Sequence, residues 1–63
     1  MSLPCIAEAY RIRGDAHRRL GNTDATLSDY KKAAKLFWEQ GDDKSYQYVC
    51  IELNVLDPDG GWL

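Results

Sequence analysis

Three observations predict that this chain is all-α and built from three helices. Apolar residues recur at three- and four-residue steps in three separate windows, the spacing of one helical face. The first two windows each end on a glycine, Gly21 and Gly41, the residue that takes a left-handed conformation at least cost. No run alternates apolar and polar residues for long enough to make a strand. Only a few residues join one window to the next, so each helix should run antiparallel to its sequence neighbour.

The first helix is predicted over about residues 3–20. Ser2 can cap it, and Pro4 falls in the first turn, where its missing N–H is no loss. Its expected inner face is Leu3, Ile6, Ala9, Tyr10, Ala16 and Leu20, and Gly21-Asn22 stops it. The second helix is predicted over 23–40, with Thr23 or Asp24 as cap and Asp24 suited to the positive end of the dipole. Leu27, Tyr30, Ala33, Ala34 and Phe37 form its inner stripe, flanked by Ala25, Thr26, Leu36 and Trp38. Lys31, Lys32 and Lys35 fall outside that stripe. Asp42-Asp43 restarts the chain as a third helix over 43–56. It ends at Asp57-Pro58, because the residue before proline resists the α conformation. The tail, 57–63, is too rich in glycine to continue it.

With 63 residues the chain is read as one domain, 1–63. A chain this short buries only about 60% of the surface its unfolded form exposes, so its core needs support. Apolar residues make up 44% and charged residues 29%, an ordinary globular balance. A formal charge of −2 argues against nucleic-acid binding by bulk attraction. Basic residues do gather at Arg11, Arg13, Arg18 and Arg19 and again at Lys31, Lys32 and Lys35. Such charges commonly just solvate a helix.

Chemistry finds few footholds. His17 is the one imidazole, placed for packing or for a groove rather than as a general base. Cys5 and Cys50 lack metal-ligand spacing and sit in apolar stripes, and no cofactor or metal is expected. Cys5 lies near a helix start and Cys50 midway along another, an offset too large for a disulfide. The aspartates lack calcium-loop spacing and no phosphate loop occurs. The chain is therefore read as not an enzyme. With no apolar run near the roughly 20 residues of a membrane span, and no signal-peptide pattern, the expected address is the cytoplasm.

Residues 7 to 38 resemble one tetratricopeptide repeat, a helix–turn–helix unit of about 34 residues. Tyr10, Arg13-Gly14 and His17 stand at the family's first-helix signature positions. Thr26, Tyr30 and Ala33 stand at those of the second helix, and Gly21 at the inter-helix turn. Arg13 departs from the usual leucine, His17 from the usual tyrosine, and Trp38 from the closing proline. The resemblance implies that Gly14 and Ala33 let two backbones approach while Tyr10 and Tyr30 fill the space between them. It also implies a third helix that caps the hairpin, and a superhelical-repeat architecture. Such repeats ordinarily stack in several copies to bury a continuous core; here there is one.

The third helix carries apolar residues on two sides. Tyr46, Val49, Cys50, Leu53 and Leu56 form one stripe, and Tyr48, Ile51 and Val55 form another nearly opposite. Trp62-Leu63 of the tail could cover the second stripe, or a second chain could, in a homodimer or larger homo-oligomer. The resemblance further implies a peptide groove on the first helix, here Glu8, Arg11, Asp15, Arg18 and Arg19. Arginines there suit an acidic segment, though Glu8 with Arg11, and Asp15 with Arg18 or Arg19, also satisfy each other at i,i+3 and i,i+4. The expected function is protein–protein interaction, as an adaptor or accessory subunit with a protein or peptide partner. The rivals are a purely structural subunit completing a partner's helical core, and weak nucleic-acid binding through the Arg/Lys face.

Overall fold

The computed structural model describes residues 4–57, with side chains from residue 6 onward. It contains three helices, α1 (Pro4–Arg19), α2 (Thr23–Gln40) and α3 (Asp43–Leu56), and no strand among the described residues. The all-α expectation holds. So do the bounds of α2 and α3, while α1 ends one residue earlier than expected.

The two turns share one design. Gly21 and Gly41 take φ of 81° and 75°. After α1, the Gly21 N–H donates to Arg18 O at 3.0 Å and the Asn22 N–H to His17 O at 2.9 Å. After α2, the Gly41 N–H donates to Trp38 O at 3.1 Å and the Asp42 N–H to Phe37 O at 2.9 Å. Both are Schellman closures, which satisfy carbonyls that a helix end would otherwise orphan. The residue after each glycine then caps the next helix. Asn22 Oδ1 accepts from the Ala25 N–H at 3.4 Å and Asp42 Oδ1 from the Ser45 N–H at 3.3 Å. The cap of α2 is therefore Asn22, not Thr23 or Asp24. One residue serves both the end of α1 and the start of α2, which is why the turn can be so short.

Pairings across the helices fix their directions. Lys32 lies over Tyr10, Tyr30 abuts Gly14 and Asp29 meets Arg13, so numbers fall on α2 as they rise on α1. Those two run antiparallel. Arg11 lies over Tyr48 and Arg18 reaches Glu52, so α1 and α3 run the same way, side by side. Both pack against α2.

The core is Ala7, Tyr30, Ala33, Ala34, Phe37, Val49 and Leu53, with Tyr10, Leu27, Leu36, Tyr46 and Leu56 half-buried around it. The α2 stripe and the first α3 stripe are placed as the periodicity indicates. The face of α1 is not. Ala7 and Gly14, two turns apart, are buried, whereas Ile6 is 48% exposed, Leu20 is 81% exposed, and Ala9 and Ala16 are also exposed. The expected Leu3 lies outside the described residues. The inner face of α1 is thus rotated toward its smallest side chains. The reason is volume: α2 brings the large Tyr30 and Phe37 to the interface, so α1 supplies room rather than bulk. A Cβ on Gly14 would stand 2.6 Å from Tyr30 Cδ1 and Cε1, closer than any packed carbon tolerates.

Candidate interaction surface

The α1–α2 interface places a polar cluster beside the core. Asp29 is buried on α2 and accepts two hydrogen bonds from Arg13, at 2.9 Å from Nε and 2.8 Å from Nη2. His17 Nε2 stands 3.5 Å from the same carboxylate. The hydrogen bonds and charge of Arg13 hold Asp29 below the usual carboxylate range against the opposing effect of burial. The same bonds push the Arg13 guanidinium up. Beside this pair, the Tyr30 hydroxyl donates to Asp15 Oδ1. Burial, then the Asp15 carboxylate, pushes the Tyr30 phenol up to about 12. Every buried side-chain polar atom among the described residues has a partner, so the cluster is closed structurally.

The sequence flagged Arg13 as a departure from leucine and as one of a basic group, and did not single out Asp29. Opposite charges at inward positions of facing helices were the available signal. His17, expected in packing or in a groove, lies half-buried with its ring beside the Asp29 carboxylate.

Of the five α1 groove residues, Glu8, Arg11 and Asp15 spend their charges on one another. Arg11 lies between Glu8 at 3.3 Å and Asp15 at 3.4 Å, with its guanidinium 5.8 Å from the Tyr48 ring centre. Arg18 pairs with Glu52 of α3, a partner the i,i+4 reading did not offer, and that bond pushes its guanidinium up. Arg19 is exposed, with no ion-pair partner among the described residues. Glu8, Arg11, Lys44, Ser45 and Tyr48 line an open cleft of about 340 Å³ between α1 and α3.

On α3 the second stripe is open to solvent: Tyr48 is 45% exposed, Ile51 61% and Val55 64%. Residues 58–63, including Trp62 and Leu63, lie outside the described residues. On α1, Ala9, Ile12, Ala16 and Leu20 form a further outward apolar stripe, with Ile12 56% exposed. Sequence reading took most of these as core, because periodicity identifies an apolar face without saying which way it points. The thiol of Cys50 is free and half-buried; the side chain of Cys5 lies outside the described residues. No group of His, Cys, Asp or Glu among the described residues could hold a metal ion. No described helix is long and apolar enough to cross a membrane. Compared with protein-family models, curated proteins and solved structures, the chain matches none of them.

Proposed function

We propose that this chain is a small, non-enzymatic protein–protein interaction module, a tetratricopeptide-like hairpin with a closing helix, that acts as an adaptor or accessory subunit and associates with itself through α3. The observation that carries the reading is the outward Tyr48–Ile51–Val55 stripe. Three large side chains, one or two turns apart on one helix edge, make a continuous apolar strip rather than scattered exposure. The core it would extend is small, with alanine at three of the seven buried hydrophobic positions among the described residues, so a second chain adds burial to it. An antiparallel pairing of two α3 helices about Ile51 would set Lys44 of one copy near Asp57 of the other. Such a two-fold arrangement closes on itself and leaves no open end.

Light scattering on the full chain over a wide concentration range tests this. The expected result is a concentration-dependent dimer that Ile51→Glu converts to a folded monomer, while Ile12→Glu on α1 leaves the dimer intact. A monomer at every concentration would sink self-association, and a dimer broken by Ile12→Glu alone would move the interface to α1.

A further inference from the structure

A second surface is independent of the α3 stripe and uses none of its residues. Lys31, Lys35 and Trp38 follow one another at four- and three-residue steps along one edge of α2. Tyr46 and Leu53 face them from α3 across a groove of about 320 Å³ whose floor includes Ala34. Ala34 and Leu53 are buried, so the floor is apolar and fixed. At one end stand the rings of Trp38 and Tyr46, with centres 5.2 Å apart and planes tilted by 52°. Trp38 is nonetheless 64% exposed, a large aromatic with one face committed to Tyr46 and much of the rest in water. Exposed tryptophan beside an apolar hollow is the composition of a contact surface.

Charge selects what the groove takes. Lys31 and Lys35 are exposed and in no ion pair among the described residues. Arg11, Arg13 and Arg18, by contrast, are each held by a carboxylate of this chain. Two unpaired lysines therefore face this groove one turn apart, whereas on α1 only Arg19 lacks an ion-pair partner among the described residues, although the chain as a whole carries −2. Lys31 and Lys35 are one turn apart, roughly 6 Å along the helix axis. Alternate residues of an extended strand, on its same side, repeat at roughly 6.6 Å. A third same-side residue then falls near the Trp38–Tyr46 end.

We propose that the groove between α2 and α3 docks an extended acidic peptide from a partner protein, with carboxylates two residues apart on Lys31 and Lys35 and a large apolar side chain against Trp38 and Tyr46. Two lysines neutralise too few phosphates to retain a nucleic acid on an acidic chain. The apolar floor likewise calls for a side chain rather than a backbone of phosphates.

The test is fluorescence anisotropy of the full chain with a fluorescein-labelled peptide, Gly-Asp-Ser-Asp-Ser-Trp-Leu, and its counterpart with both aspartates changed to asparagine. Expected is saturable binding of the acidic peptide, weakened about fivefold between low and moderately high salt by screening of exposed charges. The asparagine peptide and the Lys35→Glu chain should each bind about tenfold more weakly. Arg19→Glu, the same charge change on α1, should alter binding less than about twofold. Circular dichroism should show both variants equally helical, since both residues are exposed. The proposal is overturned by any of four results. These are no saturable binding, equal binding of the asparagine peptide, displacement by oligothymidylate, or binding that appears only after residues 58–63 are removed. The last would assign the groove to the chain's own C-terminal segment.

Discussion

The two interfaces that α2 makes are built from different materials. Toward α1 it presents Tyr30 and Asp29, and α1 answers with a glycine, an alanine and an arginine. Contact there is close and directional: a ring against a bare backbone, a carboxylate gripped from two nitrogens. Toward α3 the contact is aliphatic and aromatic, with Val49 and Leu53 fully buried and no buried charge on that helix. Directional contacts admit one register and punish error, whereas apolar packing supplies energy and tolerates adjustment. The hairpin thus sets the geometry, and α3 adds burial while leaving Tyr48, Ile51 and Val55 exposed to solvent.

Leu53→Ala would break this comparison on its apolar side. Leu53 is fully buried, and truncating such a leucine costs about 2–5 kcal/mol. A core this small should lose most of its cooperative thermal transition, seen by circular dichroism. A loss under about 1 kcal/mol would mean that α3 is only loosely docked. Gly14→Ala tests the directional side and should cost about 1–3 kcal/mol by overpacking. The added methyl meets the Tyr30 ring, which cannot swing away because it is buried and its hydroxyl is bound to Asp15. Although alanine favours helix over glycine, the steric conflict outweighs that gain. A more stable Gly14→Ala protein would show that the helices can separate without loss.

Asp29→Asn should rank next, at about 1–3 kcal/mol. The amide turns a donor toward Arg13, leaving the bidentate grip half-broken inside the interface. Arg13 is 60% exposed, so water screens its end, and the stake lies with the buried carboxylate. A pH series checks the sign. Asp29 is held below its unfolded value, so in acid the unfolded chain takes up its proton first. The stabilisation is complete above the ordinary aspartate range near pH ~4 and is lost as pH falls below it. Asp29→Asn should flatten that acid limb in chemical denaturation, and an unchanged limb would assign it to other carboxylates.

Much of this fold was legible in sequence because helix ends and apolar spacing are local properties. Gly21 and Gly41 fixed both turns, and the α2 and α3 stripes followed from their spacing. The inner face of α1 was not legible. Ala9, Ala16 and Leu20 are as apolar as Ala7, and only the bulk of Tyr30 and Phe37 on the opposing helix decides which side is admitted. Asn22 was missed as a cap because it also closes the preceding helix, a double role that depends on turn geometry. The partners of Arg13 and Arg18 were hidden for a related reason. Asp29 and Glu52 are 16 and 34 residues away, and charge pairing at such separations is readable only once the register is known. Tyr48, Ile51 and Val55 were legible as a second apolar stripe, because two apolar sides on one helix cannot both face a single hairpin; the sequence allows a tail or a second chain as its cover.

Tyr30→Phe should have the smallest effect and is the most discriminating test of the directional interface. It keeps the ring against Gly14 and removes only the hydroxyl, so the cost near neutral pH should be about 1 kcal/mol. Asp15 is not orphaned, because Arg11 remains 3.4 Å from its other oxygen. The sharper readout is alkaline. The Tyr30 phenol is pushed up to about 12, so the folded chain keeps its proton where an unfolded tyrosine, near pH ~10, has lost it. Stability from this residue is complete below that lower value and drains away as pH rises toward the higher one. Ultraviolet titration of the wild type should therefore show a late step from Tyr30, together with unfolding, beyond the smaller delay that the Cys50 side chain gives Tyr46. Tyr30→Phe should delete that late step and soften the alkaline fall in stability. If the late step survives, it belongs to another tyrosine, and burial and Asp15 do not hold the Tyr30 proton in solution. Ring packing against Gly14 would then have to hold the two helices in register by shape alone.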